Sequence, residues 1–278
     1  MESRRKNNHG KIALGAVLAV ILIGCVVYAV YCNIRLHEAD GQDAASLPKA
    51  IRELPEPETE TEEPTEIDEN IYCERVHDFD ELKDQNEDIY AWITVPETKV
   101  DYPILQTEED NYYLNRNLDR SSGYPGCIYS NKCNSKEFTD YITVFYGHNM
   151  KNKTMFGSLH GFEDEEFFQE NTQFHIYTET GRLTYEIYAV VKFTDAYIPA
   201  YYDVDTAEGR DSFLDAVRER VSKYSGSYLR EEMEIEPEDR LVVLSTCVSG
   251  VGEQRYLVIG RFVEMAYYDD TKKVSFFQ

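Results

Sequence analysis

The stretch "LVVLSTCVSGVGEQRYLVIGRF", Leu241 to Phe262, sets the reading of the whole chain. An apolar run stops at the small polar triplet Ser245-Thr246-Cys247. A Gly-containing segment follows, and a second apolar run opens on Arg255. Short apolar runs bounded by Gly and Ser are strand signals. Antiparallel pairing across the loop Val248 to Gln254 opposes Cys247 and Arg255, with Cβ atoms about 4.5–5.5 Å apart. The same register sets Ser245 against Leu257 and Val243 against Ile259, which keeps the apolar faces together. A thiol at a strand end is commonly just a small buried hydrophobe. A guanidinium within cross-strand reach makes this one a candidate for chemistry.

Outward from that hairpin, more strand-like runs appear: "GCIYS", "DYITVFYG", "QFHIYTE" and "RLTYEIYAVVKFT". Many short strands with few helices imply a mainly β chain, closed as a barrel or stacked as a sandwich. The 22 Tyr and 13 Phe suit such a core. "AEGRDSFLDAVRERVSKY" is an exception, with Phe213, Leu214, Val217, Val221 and Tyr224 at helical spacing. Nearer the N-terminus, Phe79, Leu82, Ile89 and Trp92 are spaced for a short helix or two, with strands starting at "AWITV".

Residues 1–11 carry Arg4, Arg5, Lys6 and Lys11, and residues 12–31 carry no charge. About 20 apolar residues match a hydrocarbon core of about 30 Å. Basic residues before the span place the N-terminus in the cytoplasm. The expectation is a single-pass signal anchor in the cell membrane, with everything after Tyr31 outside. A cleaved signal peptide would have a shorter apolar region. "LIGC" resembles a bacterial lipobox with Cys25 lipidated, but the apolar run continues past it as "VVYAVY". Residues 32–70, rich in Glu, Pro and Thr, read as a disordered, self-repelling spacer that gives the folded part reach. Residues 71–278 form the extracellular domain. A net charge of -24 argues against nucleic acid as a partner.

Six cysteines are present. Cys25 lies in the span and Cys32 at its end, and Cys73 at the domain edge has no evident role. Cys127 and Cys133 flank "IYSNK" and can pair outside the membrane if that loop folds back. Among the histidines, His9 is cytoplasmic, His37 lies in the spacer and His175 sits inside a strand-like run. His148 ends "DYITVFYGHNM", a strand meeting a loop, where function tends to accumulate. If that strand runs parallel and adjacent to the one ending at Cys247, both residues emerge at one rim. Thiol, imidazole and guanidinium together there are a nucleophile, an acid/base and an oxyanion stabiliser.

"LSTC" with an Arg opening the last strand, "YGHNMKNKTMFGSL" and "DYPILQ" upstream, and a helix Glu208 to Tyr224 between two late strands resemble the sortase family, class B. The resemblance runs from "NEDIYAWITVPETKVDYPILQ" to "RYLVIGRFVE". It implies an eight-stranded β-barrel with N-terminal helices and one inserted helix, and cysteine transpeptidation. The enzyme cuts a C-terminal sorting motif, LPXTG- or NPQTN-like, after its Thr through a thioester. It then joins that Thr to an amine of cell-wall precursor or, in some relatives, to a pilin lysine. Residue by residue, the resemblance makes Cys247 the nucleophile, His148 the acid/base and Arg255 the oxyanion or substrate clamp. Ser245 lines the site near the thiol, and Leu114 and Tyr197 line the substrate groove. It implies no cofactor and no metal; the partners are secreted proteins with a C-terminal sorting signal and the amine acceptor. Two rivals remain. "YPGCIY" superficially resembles the L,D-transpeptidase signature, with Cys127 as nucleophile, but lacks the His-Gly pattern upstream. The other is a catalytically inactive barrel that binds a wall peptide, against which the intact Cys, His and Arg set speaks.

Overall fold

The structure, a computed structural model, describes residues 72–269. It opens with β1 (Tyr72–Cys73) and α1 (Phe79–Gln85). Asp78 caps α1, its Oδ1 accepting from the backbone N–H groups of Asp80 and Glu81 at 3.0 and 3.2 Å. Next come β2 (Ile89–Thr94), β3 (Asp101–Leu105), a 3₁₀ turn (Tyr112–Asn115), β4 (Ile128–Ser130) and β5 (Ile142–Tyr146). A 3₁₀ segment (Phe156–Glu163) leads into α2 (Glu165–Glu170), then β6 (Gln173–Tyr177) and β7 (Gly181–Thr194). After β7 lie α3 (Ile198–Tyr202), α4 (Ala207–Lys223) and β8 (Tyr228–Leu229). The hairpin β9 (Leu241–Val248) and β10 (Val251–Tyr268) comes last.

Eight of these strands close a ring in the order β10-β9-β5-β4-β3-β2-β6-β7, and β7 pairs back onto β10. The two-residue strands β1 and β8 add to its outside, on β10 and β7. The expected eight-stranded barrel is therefore what the chain forms. Closure leaves no long sheet edge, which removes a template for aggregation. Within the ring two pairs run parallel, β3 with β4 and β5 with β9. Buried Asn134 helps seat β5: its side chain accepts from Val144 N–H and donates to the Ile142 carbonyl, at 3.0 and 2.8 Å.

The uninterrupted apolar runs of β9 and β10 have a simple cause. Val242, Leu244, Tyr256 and Val258 join one core cluster with Phe145, Phe156 and Phe174. Their alternates Val243, Leu257 and Ile259 join another with Phe213, Leu214 and Val217 of α4. A strand buried on both faces loses its polar alternation. Each fully buried aliphatic or Phe side chain contributes about 1.5–3 kcal/mol of transfer free energy. Thr206 caps α4 by accepting from Gly209 N–H at 3.1 Å, and Phe213, Leu214, Val217 and Val221 of the expected stripe face the barrel, while Tyr224 falls at the C-cap.

Three expectations change. Ile89 and Trp92 belong to β2 rather than to a helix, because the chain turns extended at Asn86 and "IYAWIT" is β-branched and aromatic. One α-helix, α1, stands where several N-terminal helices were expected, among the described residues. The 3₁₀ segment and α2 had no counterpart in the sequence reading. The anchor 12–31 and spacer 32–70 lie outside the described residues. Among those described, no helix is long and apolar enough to cross a membrane.

At the barrel seam the register between β7 and β10 slips beside Gly260. A Cβ there would sit 2.4 Å from the Phe174 ring and 3.0 Å from Tyr185 Cβ. Gly260→Val is expected to cost about 1–3 kcal/mol through overpacking. Urea unfolding should show a lower midpoint with unchanged slope; an unchanged midpoint would refute this account of the seam.

Candidate active site

β9 and β10 pair in the expected register, with Cys247 opposite Arg255, Ser245 opposite Leu257 and Val243 opposite Ile259. The intervening segment is not a free loop. β9 continues to Val248, β10 begins at Val251, and Ser249-Gly250 make the turn. The surplus residues Gly252, Glu253 and Gln254 form an irregularity in β10 before Arg255. Arg255 Nη1 donates to the carbonyls of Gly252 and Gln254, both at 3.2 Å, so this bulge holds the guanidinium. Among the described residues no carboxylate neutralises it by an ion pair. The Cys247 side is exposed.

The condition for bringing His148 to the same rim is met. β5 runs parallel to β9, with Val144 beside Val243 and Tyr146 beside Ser245. Gly147 N–H donates to the Ser245 carbonyl at 3.2 Å, the last backbone bond of that pairing. Gly147 must be glycine here, because a Cβ would lie 2.5 Å from Ile128 Cδ1 and 2.7 Å from the Phe156 ring. His148 emerges next. Its Nε2 lies 2.8 Å from the Leu114 carbonyl oxygen. A carbonyl only accepts, so Nε2 carries a proton, and in the neutral ring the free lone pair is on Nδ1. Tyr124, 62% exposed, covers the imidazole with ring centroids 4.6 Å apart.

These residues line a cleft of about 410 Å³. His148, Cys247, Arg255 and Ser245 stand at it, and Leu114 and Tyr197 form parts of its walls. All six residues singled out in the sequence thus meet in one place. Tyr129 and Tyr146 lie beneath them. Burial drives both phenols upward from the ordinary range, and the positive charge of Arg255 partly opposes this for Tyr129. They remain neutral hydroxyls at physiological pH. Asp110 and Asp195 lie on the cleft's margin and give it local negative charge.

Cys127 and Cys133 do not pair; both are free thiols. Cys127 is buried with Sγ 3.5 Å from the Arg116 carbonyl, and burial, with Asp119 adding, pushes its thiol up to about 11. Such a thiol is a poor nucleophile near neutrality, which removes the rival built on "YPGCIY". Cys133 is exposed, its Sγ 2.8 Å from Tyr197 Oη. Among the described residues no three His, Cys, Asp or Glu side chains gather closely enough to hold a metal ion.

Some neighbours of the site were not singled out. Tyr124 shields His148 from a loop about two dozen residues upstream, with no sequence signal beyond an aromatic in a Gly-Pro turn. Asn149 follows His148 in "GHNM" and donates to the Cys247 carbonyl at 2.9 Å. His160 points to the same oxygen at 3.0 Å.

The model of the sortase domain matches residues 93–263. Sortase B of Listeria monocytogenes is 33% identical over 175 residues, spanning 60% of this chain and 67% of the relative. Sortase B of Clostridium perfringens superposes with a TM-score of 0.59 at 27% identity, covering 67% of this chain and 100% of that one. A Streptococcus pyogenes class B sortase involved in pilus biogenesis superposes with a TM-score of 0.58 at 29% identity, covering 66% of this chain and 97% of that one. Domain match, sequence relatives and barrel agree: the chain belongs to the sortase family, in class B, and is a sortase transpeptidase.

Proposed function

We propose that Cys247 attacks the Thr carbonyl of a C-terminal sorting motif, with His148 as acid/base and Arg255 as oxyanion stabiliser. The observation that carries this reading is the convergence of three groups on one cleft through two strand pairings, β5 with β9 and β9 with β10. The thiolate is the nucleophilic form of a cysteine, and the fixed positive charge of Arg255 faces it across the hairpin. Thiolate attack on the Thr carbonyl carbon creates an oxyanion toward which Arg255 donates. Collapse breaks the C–N bond after Thr. Since Nε2 of His148 is engaged by Leu114, Nδ1 is the nitrogen that delivers the proton to the leaving amine. The product is a thioester on Cys247. In the second half the acceptor amine loses a proton to Nδ1, attacks the thioester carbon and expels the Cys247 thiolate. The new amide joins the Thr to the acceptor.

The motif is LPXTG- or NPQTN-like, the acceptor an amine of cell-wall precursor. Asp110 and Asp195 give an approaching ammonium a favourable field, which suits either that amine or a pilin lysine. The pilin alternative draws on the Streptococcus pyogenes relative involved in pilus biogenesis. Residues 12–31 anchor the protein in the membrane, with the N-terminus cytoplasmic and the catalytic domain outside. The exposed Leu114 and Tyr197 supply apolar area to grip the motif.

Cys247→Ala is expected to abolish thioester formation with sorting-signal peptides, followed by mass spectrometry. Cleavage surviving in that variant would sink the assignment of Cys247 as nucleophile. His148→Ala should lower kcat/KM by about 10²–10⁴-fold. Arg255→Lys should lower it by about 10²-fold, because a point charge does not reproduce the guanidinium fork. A Lys variant with full activity would remove Arg255 from the oxyanion role. Leu114→Ala and Tyr197→Ala should raise KM about 10-fold with kcat nearly unchanged, the pattern of lost uniform binding. A fall in kcat alone would assign these two residues elsewhere. Deleting residues 12–31 should move the protein from the membrane fraction to the soluble fraction, and retention in the membrane would contradict the anchor.

A further inference from the structure

Beyond its thiol, Cys247 carries a second ordered group. Its carbonyl oxygen accepts from Asn149 Nδ2 at 2.9 Å and lies 3.0 Å from His160 Nε2. Asn149 Nδ2 is also 3.0 Å from His160 Nε2 and 3.0 Å from Ser249 Oγ. On the far side of the ring, His160 Nδ1 meets Glu163 Oε1 at 2.6 Å. Glu163 Oε2 in turn pairs with Lys192 Nζ at 2.9 Å, and Lys192 donates to the Ser225 carbonyl at 3.0 Å. His160 is stacked on Tyr256, centroids 4.9 Å apart, and only 9% of its side chain is exposed.

The proton inventory is constrained. Burial alone would raise the Glu163 carboxyl, but hydrogen bonds from His160 and Lys192 outweigh it and hold the group below its ordinary value. A carboxylate only accepts, so His160 Nδ1 carries a proton. Nε2 then either donates to the Cys247 carbonyl, as imidazolium, or accepts from Asn149, as neutral ring. In both states the Cys247 carbonyl keeps a donor.

The location of this group matters more than its strength. The parallel pairing of β5 with β9 ends at the bond from Gly147 to Ser245. Beyond it, Asn149 is the residue after His148, and the clamped carbonyl belongs to Cys247 itself. Past that bond Cys247 stays laddered to β10. The His148 segment is tied to Met155 and Phe156, and Phe156 N–H donates to the His148 carbonyl at 3.1 Å. No ladder bond spans the two segments, and strand ends left so part at low cost unless a side chain ties them. We propose that His160, braced by Glu163 and Lys192, is a positioning residue that fixes the distance between His148 and Cys247 by clamping the Cys247 carbonyl and the Asn149 amide. The role rests on the proposed chemistry of Cys247 and His148. It also ties the segment after α4 to the site: Tyr256 Oη donates to the Gly226 carbonyl at 3.3 Å, and Lys192 N–H to Ser227 Oγ at 3.1 Å.

The test uses the full-length protein and two variants. His160→Phe keeps a ring on Tyr256 but removes both nitrogens. His160→Gln restores an N–H near the Cys247 carbonyl. Misplacement of about 1 Å between reacting groups costs about 10²-fold. His160→Phe should therefore lower kcat for sorting-peptide cleavage by about 10–100-fold, with KM changed less than about 2-fold. His160→Gln should return to within a few-fold of the unaltered enzyme. Alkylation by iodoacetamide, read at Cys247 by peptide mass spectrometry across pH, should shift to higher pH in His160→Phe and return in His160→Gln. An unshifted alkylation profile in His160→Phe, or a Gln variant no better than Phe with melting temperatures lowered alike, would overturn the proposal and leave His160 as packing. If the unaltered enzyme cleaves no sorting peptide, the proposed substrate falls while the alkylation profile still decides the role of His160.

Discussion

The site depends on one contact between strands distant in sequence, the parallel pairing of β5 with β9. Parallel neighbours require a long crossover, and here it contains half of the domain's other elements, from the 3₁₀ segment Phe156–Glu163 through β8. That arrangement brings Cys247 at one strand end and His148 just past the other to the same cleft. Antiparallel pairing of these strands would have sent Cys247 and His148 to opposite ends of the barrel. The guanidinium comes more cheaply, from the next strand of a tight hairpin.

A contact of that kind must be rigid to be useful, and the barrel supplies rigidity by burying β9 and β10 on both faces. Aromatic side chains fill the interior, and α4 covers the outer face. The cost is a seam with little tolerance, visible where Gly260 lies against Phe174 and Tyr185. The polar residues at the rim are spared this crowding. They are held instead by hydrogen bonds to backbone carbonyls: His148 to Leu114, Arg255 to Gly252 and Gln254, and Asn149 to Cys247.

Much of this could be read from residue order, for physical reasons that differ by feature. The pairing of Cys247 with Arg255 was legible from the short segment that joins two apolar runs, although strands buried on both faces leave no alternation to choose the register. The helix over Ala207–Lys223 was legible from its stripe, and the barrel from the number of short strands. The placement of His148 beside Cys247 was legible only as a condition, since nothing local dictates which distant strands become neighbours. The Leu114 carbonyl could not be anticipated at all: a backbone acceptor has no side-chain signature. Nor could the chain His160–Glu163–Lys192, whose members lie on the 3₁₀ segment and β7 and meet only after the barrel closes. Ile89 and Trp92 show the converse error, where helical spacing arose by chance inside a strand.

The turn Ser249-Gly250 has a consequence for how such an enzyme can be altered. It joins two strands that oppose the Cys247 thiol to the Arg255 guanidinium, with the Val248–Val251 pair and the Gly252–Gln254 bulge alone between turn and pair, so a lengthened or shortened turn acts close to both groups. The walls carry no such linkage. Leu114 sits on a short 3₁₀ turn and Tyr197 on the approach to α3, each in a different connection of the barrel. Variation in those connections reshapes the cleft walls without altering the Cys247–Arg255 pair. The fold thus divides its sequence into a part where length is fixed and parts where length is free, and retargeting by design or by drift has room only in the second.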